Sequence, residues 1–399
     1  MNTKRNWFAW ATGLTFAMTA MFGALHGANA DVGTIKIVTH SPLSGTNSAL
    51  GEAIKLGAQL ALDEHGKQIS ALGFKAVLQA EDDKADPAVG VTNANRIIGD
   101  ADILAVVGHF NSGVFIPASE VYARAGLVAV SPANTNPAVT DRESTRAIAN
   151  RICGRDDVQG PVGADFVAKK LKAKKVYVVD NRTTYGTGLA NAFQDALKKA
   201  GAQVVHTASV SDKETDFSAL LDRAAADKPD VIYFGGYYEQ YGILVKQARQ
   251  RKVAAALVSG DGADSADLQK IAGAENMTKV YFTSTSVPIN MLPAAKNFAK
   301  TYKDKFKKEP EGYSAYGYDS MRVVLQGIAD AIKTNNGKKP GREQVAAAVR
   351  KVSIDGLTGK ISFNSRGDIK AAKYVIISAG ATYEKNDVIS VIATRPPHE

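Results

Sequence analysis

Runs of apolar, β-branched residues alternate along the chain with segments of helical period. The runs are "TIKIVTH" (34–40), "FKAVLQ" (74–79), "ILAVVG" (103–108), "LVAVS" (127–131), "KVYVVD" (175–180), "AQVVHT" (202–207), "DVIYFGG" (230–236), "ALVSG" (256–260) and "KVYFTS" (279–284). Between them, "ALGEAIKLGAQLALDEH" places Leu50, Ile54, Ala58 and Ala61 on one helical face. Asp86 followed by Pro87 marks a helix start, and Gly201 marks a helix stop. Continuous apolar strands separated by helices predict parallel sheets covered on both faces.

The alternation is too long for one comfortable sheet, and it breaks twice. Polar density rises over 141–157, and after "TSTSVP" (283–288) long helices take over, from Pro293 to Lys307 and from Ser314 to Thr334. Three short strands follow: "GKISF" (359–363), "AKYVIIS" (372–378) and "VISVIA" (388–393). The pattern predicts an α/β protein of two lobes, each a mainly parallel sheet flanked by helices, with the chain crossing more than once. The expected lobes are residues 31–151 with 285–357, and 152–284 with 358–399.

Ligands of parallel α/β sheets sit beyond the carboxyl ends of the strands. Those ends read "HSPLSGTNSAL", "GHFNSG", "SPANTN", "DNRTTYGTG", "GGYYEQYG" and "SGDGADS". Hydroxyls, glycines and tyrosines dominate, three ends from each lobe. This predicts a cleft between lobes for a small polar ligand with an apolar part.

The N-terminus has the pattern of a cleaved secretory signal over residues 1–30: Lys4 and Arg5, then an apolar stretch, then Ala28-Asn29-Ala30. No cysteine lies near the expected cut, so the segment is not read as a lipoprotein signal. Lys4 and Arg5 are its only charges, so cleavage lowers the formal net charge from +9 to +7. The lysines are scattered over amphipathic helices without aromatic interleaving, which argues against a nucleic-acid partner. Cys153 is the sole cysteine, so no internal disulfide forms.

Catalytic signatures do not occur. The chain has no Walker phosphate loop, dinucleotide fingerprint, zinc-protease motif, paired-cysteine metal spacing or nucleophile elbow. His40 and His109 both fall at strand ends and read as hydrogen-bonded structural histidines, because no third ligand shows in the pattern. "DGADSAD" (261–267) does not fit a calcium loop, and Asp264 reads as a helix cap. No cofactor and no metal are expected.

Several stretches together, in order, resemble the periplasmic leucine/isoleucine/valine-binding protein family. They include "SPLSGTNSALGEAIKLGAQLALDE", "VVGHFNSGVFIPASEVYARAGLVAVSPANTNPAVT" and "VIYFGGYYEQYGILVKQAR". The resemblance implies a type I periplasmic binding fold and capture of an amino acid, branched-chain or otherwise apolar, for an inner-membrane ABC permease. An amide, urea or aromatic acid is the alternative ligand. It also implies a periplasmic monomer without enzymatic activity.

Carried over residue by residue, the resemblance implies that Ser112 and neighbouring N–H groups hold the ligand carboxylate. Ala133 and Thr135 are expected to touch both carboxylate and ammonium. Tyr237 and Asp261 close from the second lobe, Asp261 facing the ammonium, and Tyr185 lines the side-chain end. Leu50 stands where some members have an aromatic residue, which puts pocket size in question. Ala85 and Asn111 stand where some have a cysteine pair.

Overall fold

The structure is a computed structural model and describes residues 33–397. The expected signal segment, His26 and His398 lie outside the described residues.

Two main sheets carry the fold. The first is built from β1 (Gly33–Ser41), β2 (Phe74–Asp82), β3 (Ile103–Gly108), β4 (Val128–Ser131) and β5 (Ala149–Arg151). Its order is β2-β1-β3-β4-β5, parallel throughout. The second contains β6 (Lys175–Asp180), β7 (Gln203–Ser209), β8 (Val231–Gly235), β9 (Ala256–Ser259) and β10 (Val280–Ser284). A two-stranded sheet pairs β11 (Ser353–Asp355) with β12 (Lys360–Ser362). Two late strands, β13 (Ala372–Ser378) and β14 (Asp387–Thr394), complete the second sheet in the order β14-β13-β10-β9-β8-β6-β7. β13 runs antiparallel to β10 and to β14, while the others run parallel.

Every residue of β3 and β8 is buried, as a strand with helices on both faces requires. Asp86 caps the helix Pro87–Gly99 by accepting from Ala88 N–H (2.7 Å) and Val89 N–H (3.1 Å). Helix Ser48–His65 packs on helix Gly312–Thr334 of the first lobe at backbone distance. A Cβ on Gly57 would lie 2.0 Å from the Ser314 carbonyl oxygen, and one on Gly317 would lie 2.4 Å from that of Ile54. Only hydrogen fits at either position.

Residues 358–362, expected with the second lobe, stay with the first. β12 pairs with β11, and Leu357 N–H, Thr358 N–H and the Thr358 hydroxyl all donate to Asp319 of the helix Gly312–Thr334. The chain reaches the second sheet only at β13.

The crossing segments are tied by buried charge. Asp368 accepts from Arg151 Nε (2.6 Å), Arg155 (3.0 Å) and the Thr140 hydroxyl (2.7 Å). These contacts join the crossing after β5 to the one before β13.

Candidate ligand-binding site

The strand ends of the first lobe are stitched together by one side chain. Asn134, in the turn after β4, accepts from His109 N–H (3.1 Å) and the Ser131 hydroxyl (2.7 Å), and donates to the Phe110 carbonyl (2.8 Å). This holds the turn at Ala133–Thr135 against the turn at His109–Ser112. The helix Ser112–Arg124 starts there, and its N-cap residue Asn111 makes no side-chain capping bond. Its first N–H groups and the positive end of its dipole therefore remain for an anion. Ser112 Oγ accepts only from Asn136 N–H, at 3.4 Å. Thr135 Oγ1 and Asn111 Oδ1 are buried without a hydrogen-bond partner.

Across the cleft, Thr183 caps the helix Thr184–Lys199 through Gly186 N–H (2.9 Å) and so fixes Tyr185 one residue inside it. The Tyr185 hydroxyl donates to Asp261 Oδ1 (2.8 Å) and accepts from Gly262 N–H (2.8 Å). Tyr313 donates to Asp261 Oδ2 (2.7 Å). Burial raises the Asp261 pKa above the usual carboxylate range, against the pull of both tyrosine hydroxyls. Tyr185 stacks on Tyr237 at 5.2 Å between ring centroids, and the Tyr237 hydroxyl lies beside Asn111 and Thr183. Phe110 closes the aromatic group against Tyr237 (5.9 Å) and Tyr313 (5.5 Å).

A cavity of about 400 Å³ opens between the lobes, with Asn111, Gly113, Thr183, Tyr237 and Glu239 on its wall. Ser112, Ala133, Thr135, Tyr185 and Asp261 are buried and do not line it. The lobes meet at its rim, where Asn47 N–H donates to Glu239 (2.5 Å) and the Asn136 amide donates to the Thr184 carbonyl (3.1 Å). Of the six expected residues, Ser112, Ala133 and Thr135 lie in turns that Asn134 ties together on the first lobe, Tyr185 and Asp261 are bonded to each other on the second, and Tyr237, stacked on Tyr185, alone reaches the cavity. Ala85 lines the cavity, whereas Leu50 is fully buried in the core. Phe110 and Tyr313, neither of them expected here, touch this group: Tyr313 through its bond to Asp261, and Phe110 through its ring contacts to Tyr237 and Tyr313. Tyr313 sits in a long apolar helix, and nothing in that pattern sets its ring apart from core.

Asp264 does not cap a helix. It accepts from the Ser284 hydroxyl (2.7 Å) and Tyr383 (3.0 Å), because its turn folds back onto the end of β10.

His40 and His109 do have a third neighbour, Asp83, and ligand atoms of the three lie within 4.8 Å of one another. Each ring nitrogen is already engaged. His109 Nδ1 bonds Asp83 (2.7 Å), His109 Nε2 and His40 Nδ1 both meet the Tyr122 hydroxyl (3.1 and 2.7 Å), and Asn93 donates to His40 Nε2 (3.2 Å). Burial pushes the His109 pKa down to about 3 and that of His40 well below its usual value, and raises Asp83 to about 6. The network braces the ends of β1 and β3 with neutral rings.

Among the described residues, no helix is long and apolar enough to cross a membrane.

Residues 34–378 match the family model described as periplasmic binding protein. A Leu/Ile/Val-binding protein of Rhizobium johnstonii is 35% identical over 362 residues, covering 90% of this chain and 95% of its own. A leucine binding protein of Thermotoga maritima has a similar structure, with a TM-score of 0.80 at 32% identity; the match covers 90% of this chain and 98% of that one. The branched-chain amino acid transporter substrate binding protein of Streptococcus pneumoniae, solved with isoleucine, gives 0.79 at 27% identity, covering 91% and 100%. With its two α/β lobes, its cleft at the strand ends and these relatives over nearly its full described length, the chain belongs to the periplasmic binding protein family, alongside the leucine/isoleucine/valine-binding proteins.

Proposed function

We propose that the protein is an exported receptor that captures an apolar α-amino acid, of the branched-chain type, between its lobes and delivers it to an ABC permease. One observation carries this reading. An uncapped helix start suited to a carboxylate faces a buried aspartate suited to an ammonium. An α-amino acid presents those two charges on adjacent atoms, and the aromatic group around Phe110 and Tyr237 suits an apolar side chain. The names of the relatives support the same class. The ligand contacts are proposed as Ser112, Ala133, Thr135, Tyr185, Tyr237 and Asp261. Cleavage of residues 1–30, a periplasmic location, a monomeric state and the lack of catalysis belong to the same proposal.

An aromatic acid fits less well, because a ligand without a cation leaves a buried carboxylate facing another carboxylate. Thermal-shift measurements of the mature protein against twenty amino acids, amides and aromatic acids test the proposal. Leucine, isoleucine or valine is expected to give the largest rise in Tm. A rise confined to amides or aromatic acids refutes it.

A further inference from the structure

We propose that Asp156 is a second ligand-binding carboxylate of this site, sharing the ligand's ammonium with Asp261; this rests on the amino-acid reading above. Asp156 opens the helix Asp156–Asp165, just after the chain crosses from the first sheet. Its N–H donates to the Thr135 carbonyl (2.9 Å), which pins it beside the turn expected to meet the ligand head group. The residue is 1% exposed, yet neither carboxylate oxygen has a hydrogen-bond partner. The Thr135 hydroxyl lies beside the carboxylate but outside bonding geometry, and it too is unpartnered, as is Gln159 Oε1 one helical turn on.

A buried carboxylate without a donor is strongly disfavoured, and here burial raises its pKa far above the usual range. The basic groups nearby are committed elsewhere. Arg151 bonds Asp368 and the carbonyls of Asn134 and Asn136, and Arg155 bonds Asp141, Asp157 and Asp368. The charge pressing hardest on Asp156 is Asp261, a like charge that raises its pKa further.

The two acids are not equivalent. Asp261 already has a tyrosine hydroxyl on each oxygen, whereas Asp156 has none. The group that lacks a donor is therefore Asp156. A primary ammonium carries three N–H donors. Asp156, Asp261 and the turn at Ala133–Thr135 supply three acceptors from three different segments. An amide or a carboxylic acid brings no charge to offset the two acids, so this pair sets the selection for a free amino group.

The test uses the mature protein, L-leucine and its deaminated analogue 4-methylpentanoate, followed by calorimetry. Asp156→Asn is expected to weaken leucine binding by roughly 100-fold. It is expected to bind 4-methylpentanoate no worse than wild type does. The ligand-free variant should melt no lower than wild type, since it loses only a carboxyl group without a hydrogen-bond partner. Leucine affinity within twofold of wild type overturns the inference, as does an equal loss for both probes. Failure of the variant to fold also overturns it, because a side chain without a partner does not hold the fold together. If wild type binds leucine and only Asp261→Asn impairs it, the receptor reading survives and Asp156 is excluded. If wild type binds neither leucine nor any other amino acid, the receptor reading itself falls and this inference falls with it.

Discussion

The rim contact between Asn47 and Glu239 gives a way to change affinity without touching the ligand head group. Glu239 lies in the first turn of the helix Tyr238–Gln250 on the second lobe, and Asn47 precedes the helix Ser48–His65 on the first. The bond exists only when the lobes are together. A hydrogen bond to a charged group contributes about 1.5–3 kcal/mol. Burial raises the Glu239 pKa, so desolvation of the ionised form offsets part of this. About 1–2 kcal/mol is left for closure. Ligand affinity contains the free energy of closing, so Glu239→Ala should weaken leucine binding by that amount, roughly 5- to 30-fold. Glu239→Gln keeps an acceptor and should lose about half as much free energy. The loss should fall on the off-rate, because the open form that meets the ligand is unchanged. Stopped-flow and calorimetry read both quantities. Wild-type affinity and off-rate in the alanine variant would refute the idea that this contact holds the closed state.

Other consequences follow from the same structure. Asp368→Ala strips two buried arginines of their shared partner and should cost about 3–5 kcal/mol of stability, read by urea denaturation. Ser112→Ala and Thr135→Ala should each weaken leucine binding by about 1–3 kcal/mol while the fold survives; calorimetry with wild-type values for both would remove the turn from the site.

The sequence revealed what repeats and concealed what converges. Strands such as β3 and β8 announce themselves as unbroken apolar runs, because both faces are covered. β5 escaped notice: its three residues, Ala149–Arg151, include Asn150 and Arg151, and buried partners satisfy them in ways no period records. The short β11 at Ser353–Asp355 has no buried run at all. At the site, the family resemblance pointed to residues at strand ends. Asp83, Asp156 and Tyr313 were not legible, because each meaning depends on a partner far along the chain. Asp83 reads as a turn acid until His109 is beside it. Asp156 reads as an ordinary first-turn acid, favoured by the helix dipole, until its burial and lack of a donor are seen. Asp264 reads as a cap until β10 and Tyr383 approach it. Residues 358–362 read as second-lobe strand until Asp319, about forty residues earlier, claims them.

Capture of an apolar amino acid by lobe closure is tested most directly by small-angle scattering of the mature protein with and without L-leucine. Saturation is verified by calorimetry on the same sample. The radius of gyration is expected to fall on saturation, because the rim contacts at Asn47–Glu239 and Asn136–Thr184 form only when the two lobes meet. A protein saturated with leucine whose radius of gyration is unchanged from the free form contradicts closure as the means of capture.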